Sequence, residues 1–134
     1  QSKAMEVRRP INLREYSPRW VYPGGGCVDF EIDGNAPAAR DDFARRVAKD
    51  LESICDKAVN LLTSFMKDTG EFNLDYVRVF SEKTAEQGDF FLSFSFVSDC
   101  DANEYGYTYF HVHFVEHVRP SPCFWPFRFV VGFH

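Results

Sequence analysis

An α+β domain is what this chain predicts: a mainly antiparallel sheet packed in two layers on one long helix. Three observations carry that expectation. Apolar residues recur at spacings of three and four over residues 37–68, the period of a helix buried along one side. After Gly70 the period falls to two, and polar turns cut the chain into short runs, as in strands joined by hairpin-length links. The 134 residues are one domain's length and bury roughly two thirds of the unfolded surface, with 15 phenylalanines to fill the core.

In chain order, Gln1–Ala4 before Met5 resemble the remnant of an engineered tag, so the domain is read as residues 5–134 with Met5 as the native start. Ile11 and Leu13 alternate with Asn12 and Arg14 between Pro10 and Pro18, in the manner of a short edge strand. Trp20-Val21-Tyr22 is β-prone, and Pro23-Gly24-Gly25-Gly26 ends it. A glycine run cradles phosphate when it opens a helix. This one opens a strand over 27–32 and is read as a loop. Val28, Phe30 and Ile32 face a core, while Asp29 and Glu31, with Asp33 following, form half of an acidic patch suited to a basic partner.

The helix is expected to start at Asn35 or Ala36, with Pro37 in its first turn and Asp41 and Asp42 near the positive end of its dipole. Its stripe is Phe43, Val47, Leu51, Ile54, Ala58, Leu61, Leu62 and Phe65, and Phe65 and Met66 are assigned to the core. An unbroken helix over this span would be about 48 Å long, so a break is expected near Asn60–Thr63. Strands follow at about 74–81, 89–98, 106–117 and 124–133, a four-strand meander to which the N-terminal strands are added. The facing of 74–81 is ambiguous, because Tyr76 and Phe80 compete with Val77 and Val79. Over 89–98, Phe90, Leu92, Phe94 and Phe96 point inward and Phe91, Ser93, Ser95 and Val97 outward. The last strand is expected to show Trp125, Phe127, Phe129, Val131 and Phe133 on one face, with Pro126 marking an edge or a bulge.

The strand at 106–117 carries the functional question. Phe110, Val112 and Phe114 form a core row, and Tyr107, Tyr109, His111, His113 and His117 form an aromatic–imidazole row on the opposite face. His111 and His113 point the same way and have the spacing of two metal ligands. Cupins use such a pair, but the glycine and glutamate spacings differ here and the second cupin motif is missing. His117 lies about 13 Å beyond His113 along a strand, too far to complete a three-ligand site. Asp99-x-Asp101-x-Asn103 begins like a calcium loop, yet Glu104 and Phe110 occupy the sixth and twelfth positions, where glycine and glutamate belong. No GxSxG or HExxH motif is present, so neither catalysis nor a cofactor is expected.

A net charge of −5 argues against direct nucleic-acid binding. No run reaches the ~20 apolar residues of a membrane span, and no signal peptide is visible. Cys27, Cys55, Cys100 and Cys123 form no CxxC pair, so a closed zinc site is not expected; the even count permits two disulfides in a secreted protein, but Cys55 among the apolar residues of the expected helix reads as a buried free thiol, which suits a reducing, cytoplasmic setting.

This plan of a small acidic α+β domain without a catalytic motif resembles bacterial toxin-immunity proteins, including those of contact-dependent growth inhibition. The resemblance implies a cytoplasmic protein that binds and neutralises a cognate toxin domain. Many such toxins are basic nucleases, to which the rows Asp29-x-Glu31-x-Asp33 and Asp99-x-Asp101 are suited. No motif matches residue by residue, so the family assigns no residue here. From the residues themselves, the partner-binding surface is expected at Asp29, Glu31, Asp33, Asp99, Asp101, Glu104, Tyr107, Tyr109, His111 and His113. The alternative is a small metal-binding protein or metal-dependent enzyme using His111 and His113.

Overall fold

The computed structural model of the chain describes residues 7–8, 19–21, 27–32, 38–99 and 108–133. Among these, seven strands form one α+β sheet whose spatial order follows the chain: β1 Val7–Arg8, β2 Arg19–Val21, β3 Cys27–Ile32, β4 Gly70–Thr84, β5 Gly88–Ser98, β6 Thr108–His117 and β7 Cys123–Phe133. Neighbours are antiparallel except β3 and β4, which run parallel. A parallel pair needs a long crossover, and the two helices α1 Ala38–Lys49 and α2 Leu51–Thr63 supply it. The sheet is therefore mixed and continuous with the N-terminal strands, where a four-strand meander was expected as its main body. Ile11 and Leu13 lie outside the described residues.

The single helix expected over 37–68 is two, and the joint is at Asp50 rather than at Asn60–Thr63. The Asp50 backbone sits at φ −102°, ψ 15°. Its N–H points to both Val47 O (3.1 Å) and Arg46 O (3.3 Å), tightening the last turn of α1, while its own carbonyl receives Ile54 N–H at 3.0 Å. Aspartate disfavours helix interiors and favours helix starts, because its short side chain competes for nearby backbone groups. The apolar stripe continues through the joint: Phe43 and Val47 on α1 and Leu51, Ile54, Ala58 and Leu62 on α2 are all buried. The break changes direction without changing the buried side, so α1 lies on β3 and β4 while α2 reaches β7.

The second helix stops at Thr63, where Ser64 Oγ donates to Leu61 O at 2.7 Å and the amides of Phe65 and Met66 fold back on Leu62 O and Thr63 O. Phe65, assigned to the core from sequence, is 63% exposed; its ring rests on Phe129 of β7 at 4.9 Å.

The fourth strand begins at Gly70, earlier than expected, and a register shift between Leu74 and Tyr76 resolves its ambiguous facing. Leu74 pairs with Phe94 and Tyr76 with the next residue along, Ser93, so Asp75 is an extra residue. Phe72 and Leu74 consequently share the helix-covered face with Val77 and Val79, although the residue count alone sets them at odds. A second shift, between His113 and Phe114, leaves Phe127 as the extra residue of β7, since His113 pairs with Arg128 and Phe114 with Pro126. The expected five-residue apolar face of the last strand is thereby split. Phe129, Val131 and Phe133 share the parity of the helix side, and Trp125, opposite Val115, falls on the other.

Under the helices the core is aromatic. Phe90 stacks on Phe114 at 5.1 Å, and Phe43 of α1 meets Phe90 and Phe124 edge-on at 6.0 and 5.8 Å. Such pairs add about 1 kcal/mol each beyond the area they bury. The guanidinium carbons of Arg40 and Arg46 lie 4.4 and 5.1 Å from the centre of the Phe43 ring. Both arginines then reach the sheet. Arg40 donates to Phe80 O and to Asp89 Oδ1, each at 2.9 Å, and Arg46 pairs with Glu116 at 2.5 Å. The other oxygen of Asp89 accepts the backbone N–H of Glu116 at 2.9 Å, so one carboxylate joins α1, β5 and β6. Lys57 of α2 closes the layer by donating to Phe124 O at 2.8 Å. Among the described residues no helix is long and apolar enough to cross a membrane.

Asp89 is only 4% exposed, and removing one member of a buried pair strands the other. Asp89→Ala is expected to lower the unfolding free energy by about 3 kcal/mol, read from urea denaturation. A loss of a few tenths would show that the Arg40 contact is incidental.

Candidate interaction face

The helices cover one side of the sheet, and no described helix lies on the other. Strand alternation assigns that open side its residues: Asp29 and Glu31 on β3, Tyr76, Arg78 and Phe80 on β4, Phe91, Ser93 and Ser95 on β5, and Tyr109, His111 and His113 on β6. The expected aromatic–imidazole row exists as a packed layer. His111 stacks on Phe91 with centroids 4.3 Å apart and leans on Tyr109 at 4.5 Å. Tyr76 meets Phe91 and His111 edge-on at 6.0 and 6.3 Å. Phe91 also lies 5.0 Å from His113, so one hydrocarbon ring packs against both imidazoles.

Tyr109 is held across the neighbouring strand by a missing side chain. It pairs with Gly132 of β7, and a Cβ at that position would collide with the tyrosine ring. Gly88, at φ 77°, does the same for the hairpin end, where Phe127 and Phe114 O occupy the space a Cβ would need.

His113 is 3% exposed. Its Nδ1 is 2.9 Å from Gln87 O, and because a carbonyl only accepts, Nδ1 carries the proton. Burial holds its pKa below the ordinary histidine value; the Gln87 bond opposes this and the Arg128 charge adds to it. With Nδ1 engaged and the ring set among Phe80, Phe91 and Phe127, His113 is a packing residue of the layer. No group of three His, Cys, Asp or Glu that would hold a metal occurs among the described residues.

The acidic rows are only partly assembled. Asp29 is exposed on the open side, opposite Tyr76. Glu31 is bound to Arg78, with contacts of 2.5 and 3.1 Å, so one of the three carboxylates of the first row is paired within the sheet. Asp99 is exposed at the end of β5, its N–H bonded to Thr69 O at 2.9 Å. Asp33, Asp101, Glu104 and Tyr107 lie outside the described residues.

Sequence reasoning missed Asp75. The bulge at Leu74–Tyr76 delivers its side chain to the open side, where it accepts from Ser95 Oγ at 3.4 Å. Together with Tyr76, Ser93, Ser95, Thr108, Tyr109 and His111 it lines a recess of about 400 Å³. The signal was the clash of parity between Leu74 and Val77. Neither protein-family models, nor characterised proteins, nor solved structures yield a match to this chain.

Two predictions follow from the geometry of this layer. In the unfolded chain His113 titrates near its ordinary value of 6.5, above its folded pKa. The unfolded state thus takes up the proton first as pH falls. Stability from this residue is complete above that value and is lost as pH drops through it toward the folded pKa. Unfolding free energy measured at about pH 7.5 and about pH 5 is expected to fall, and His113→Phe to flatten the difference; an unchanged slope in the variant would exclude His113 as its source. Separately, Gly132→Val is expected to swing the Tyr109 ring off β7, seen as loss of ring-current shifts at residue 132. Retained shifts would mean the strands part instead.

Proposed function

We propose that this chain is a protein-binding module that docks a cognate basic protein on its open sheet face, in the manner of an immunity protein neutralising a toxin domain. The observation that carries this reading is the aromatic–imidazole layer around Phe91, His111 and Tyr109, which lies on the sheet side without a described helix. Tyrosine and other aromatic groups with a charged rim are the composition of binding hot spots. Asp29 supplies rim charge beside Tyr76, and the net charge of −5 favours encounter with a basic partner. The same rings packed against each other lose little side-chain freedom on docking, because they are already ordered.

The experiment is titration calorimetry against the product of the adjacent gene, with single changes on the face. Tyr109→Ala and His111→Ala are each expected to weaken the complex by about 2 kcal/mol, roughly thirtyfold, while Glu52→Ala on the exposed side of α2 leaves it unchanged. No complex, or equal affinity for all four proteins, would overturn the reading.

A further inference from the structure

The last strand carries side chains that the end of a sheet does not need. One edge of β7 pairs with β6, and among the described residues no strand pairs with the other. Alternate residues of such an edge turn N–H and C=O outward, a template for one more strand. Proline and bulges blunt edges of this kind, and here both sit early, at Pro126 and the extra residue Phe127. From Arg128 to Phe133 the ladder with β6 is regular, and Arg128 is the one charged side chain. The stretch is apolar on both faces. On the helix side Val131 and Phe133 are 47% and 78% exposed and Phe65 beside them 63%, while Phe127, against His113 on the open side, is 43% exposed. A strand apolar on both faces has the composition of a sheet interior. A groove of about 450 Å³ runs along the helix side of this edge, walled by Leu62, Phe65, Met66, Phe129, Val131 and Phe133.

We propose that the outer edge of β7 binds the same edge of a second copy of this chain, antiparallel, about a two-fold axis perpendicular to the sheet. The regular segment Arg128–Gly132 overlaps itself fully when Val130 stands opposite Val130 of the second copy. Phe129 then faces Val131 across the joint, and Arg128 faces Gly132. Opposed residues share a face, so apolar side chains meet on the helix side, where Phe65 of each copy flanks them. The two arginines stay about 13 Å apart along the strands, so the segment opposes no like charges, which would destabilise a pair. The exposed parts of Phe65, Phe127, Val131 and Phe133 come to about 400 Å² of apolar surface per copy. With the outer backbone of the segment added, two copies approach the ~1,000 Å² total of a specific interface. An axis of this direction keeps the helices of both copies on one side and sets their open faces side by side on the other. The pair then presents two open faces in one direction, whatever those faces bind.

The test is sedimentation equilibrium of the full chain under reducing conditions, from about 1 to about 200 μM, at low and at high salt. A monomer–dimer equilibrium is expected, with a dissociation constant on the order of 10 μM. Each copy carries a net charge of −5, so added salt should leave the dimer as tight or tighten it. Val131→Lys sets a charge on the joint and should weaken the dimer at least about tenfold. Val97→Lys makes the same change at an exposed residue of β5, away from the edge, and should leave the dimer intact. Amide exchange on the unaltered chain gives a second reading that no misfolded variant can disturb: outward N–H groups of β7 should exchange more slowly as concentration rises. A chain that stays monomeric over the whole range overturns the proposal and leaves the edge to a strand of a different protein. Full dimerisation of Val131→Lys, loss of the dimer in Val97→Lys, dissociation by salt, or β7 exchange that ignores concentration would each overturn it as well.

Discussion

Among the described residues one helical crossover serves the sheet: helices occur in the passage from β3 to β4, while the β4–β5 and β6–β7 links are short and non-helical. Those helices bury Phe90, Leu92, Phe94, Val112 and Phe114 on a single side. Apolar side chains on the opposite side have no described helix over them and pack against one another. Phe91 and His113 reach burial in that way, through rings on β4, β6 and β7. Among the described residues the open face is therefore a second, thinner core. That follows from topology before any question of function arises.

Irregularities of the backbone then shape this layer. A flat, regular ladder would set Tyr109 upright and leave Asp75 without a place. Gly132 removes the Cβ that would hold the tyrosine away, and the bulge adds a residue that the pairing does not need. The energetic interest lies where these irregularities meet: rings supply attraction without direction, whereas the Asp75 carboxylate, which accepts from Ser95, supplies direction. On the helix side, by contrast, polar groups are matched within the protein, as the Arg40–Asp89 contact illustrates.

Much of the sheet was legible because period-two alternation is a local property. The strand at 27–32, the inward row of Phe90 to Phe96 and the core row of Phe110, Val112 and Phe114 could be read directly. The helix joint could not, because the apolar stripe runs through Asp50 without interruption and gives no sign of a change in direction. The last strand was misassigned for the opposite reason: its pattern looked continuous, but the extra residue at Phe127 splits it between faces. The pairing of Glu31 could not be read, because Arg78 faces it across a parallel pairing separated by both helices. Pairings of that range leave no trace in either segment alone, and the recess, drawn from three strands, has the same origin.

The bulge has a genetic meaning as well. Leu74 already stands opposite Phe94, and Tyr76 opposite Ser93. With Asp75 absent those two pairs become consecutive rungs, and every other side chain of the strand keeps its face. The Asp75 carboxylate thus stands in addition to the paired strand, and a deletion of that single codon removes the charge while the pairing of the strand stays in frame.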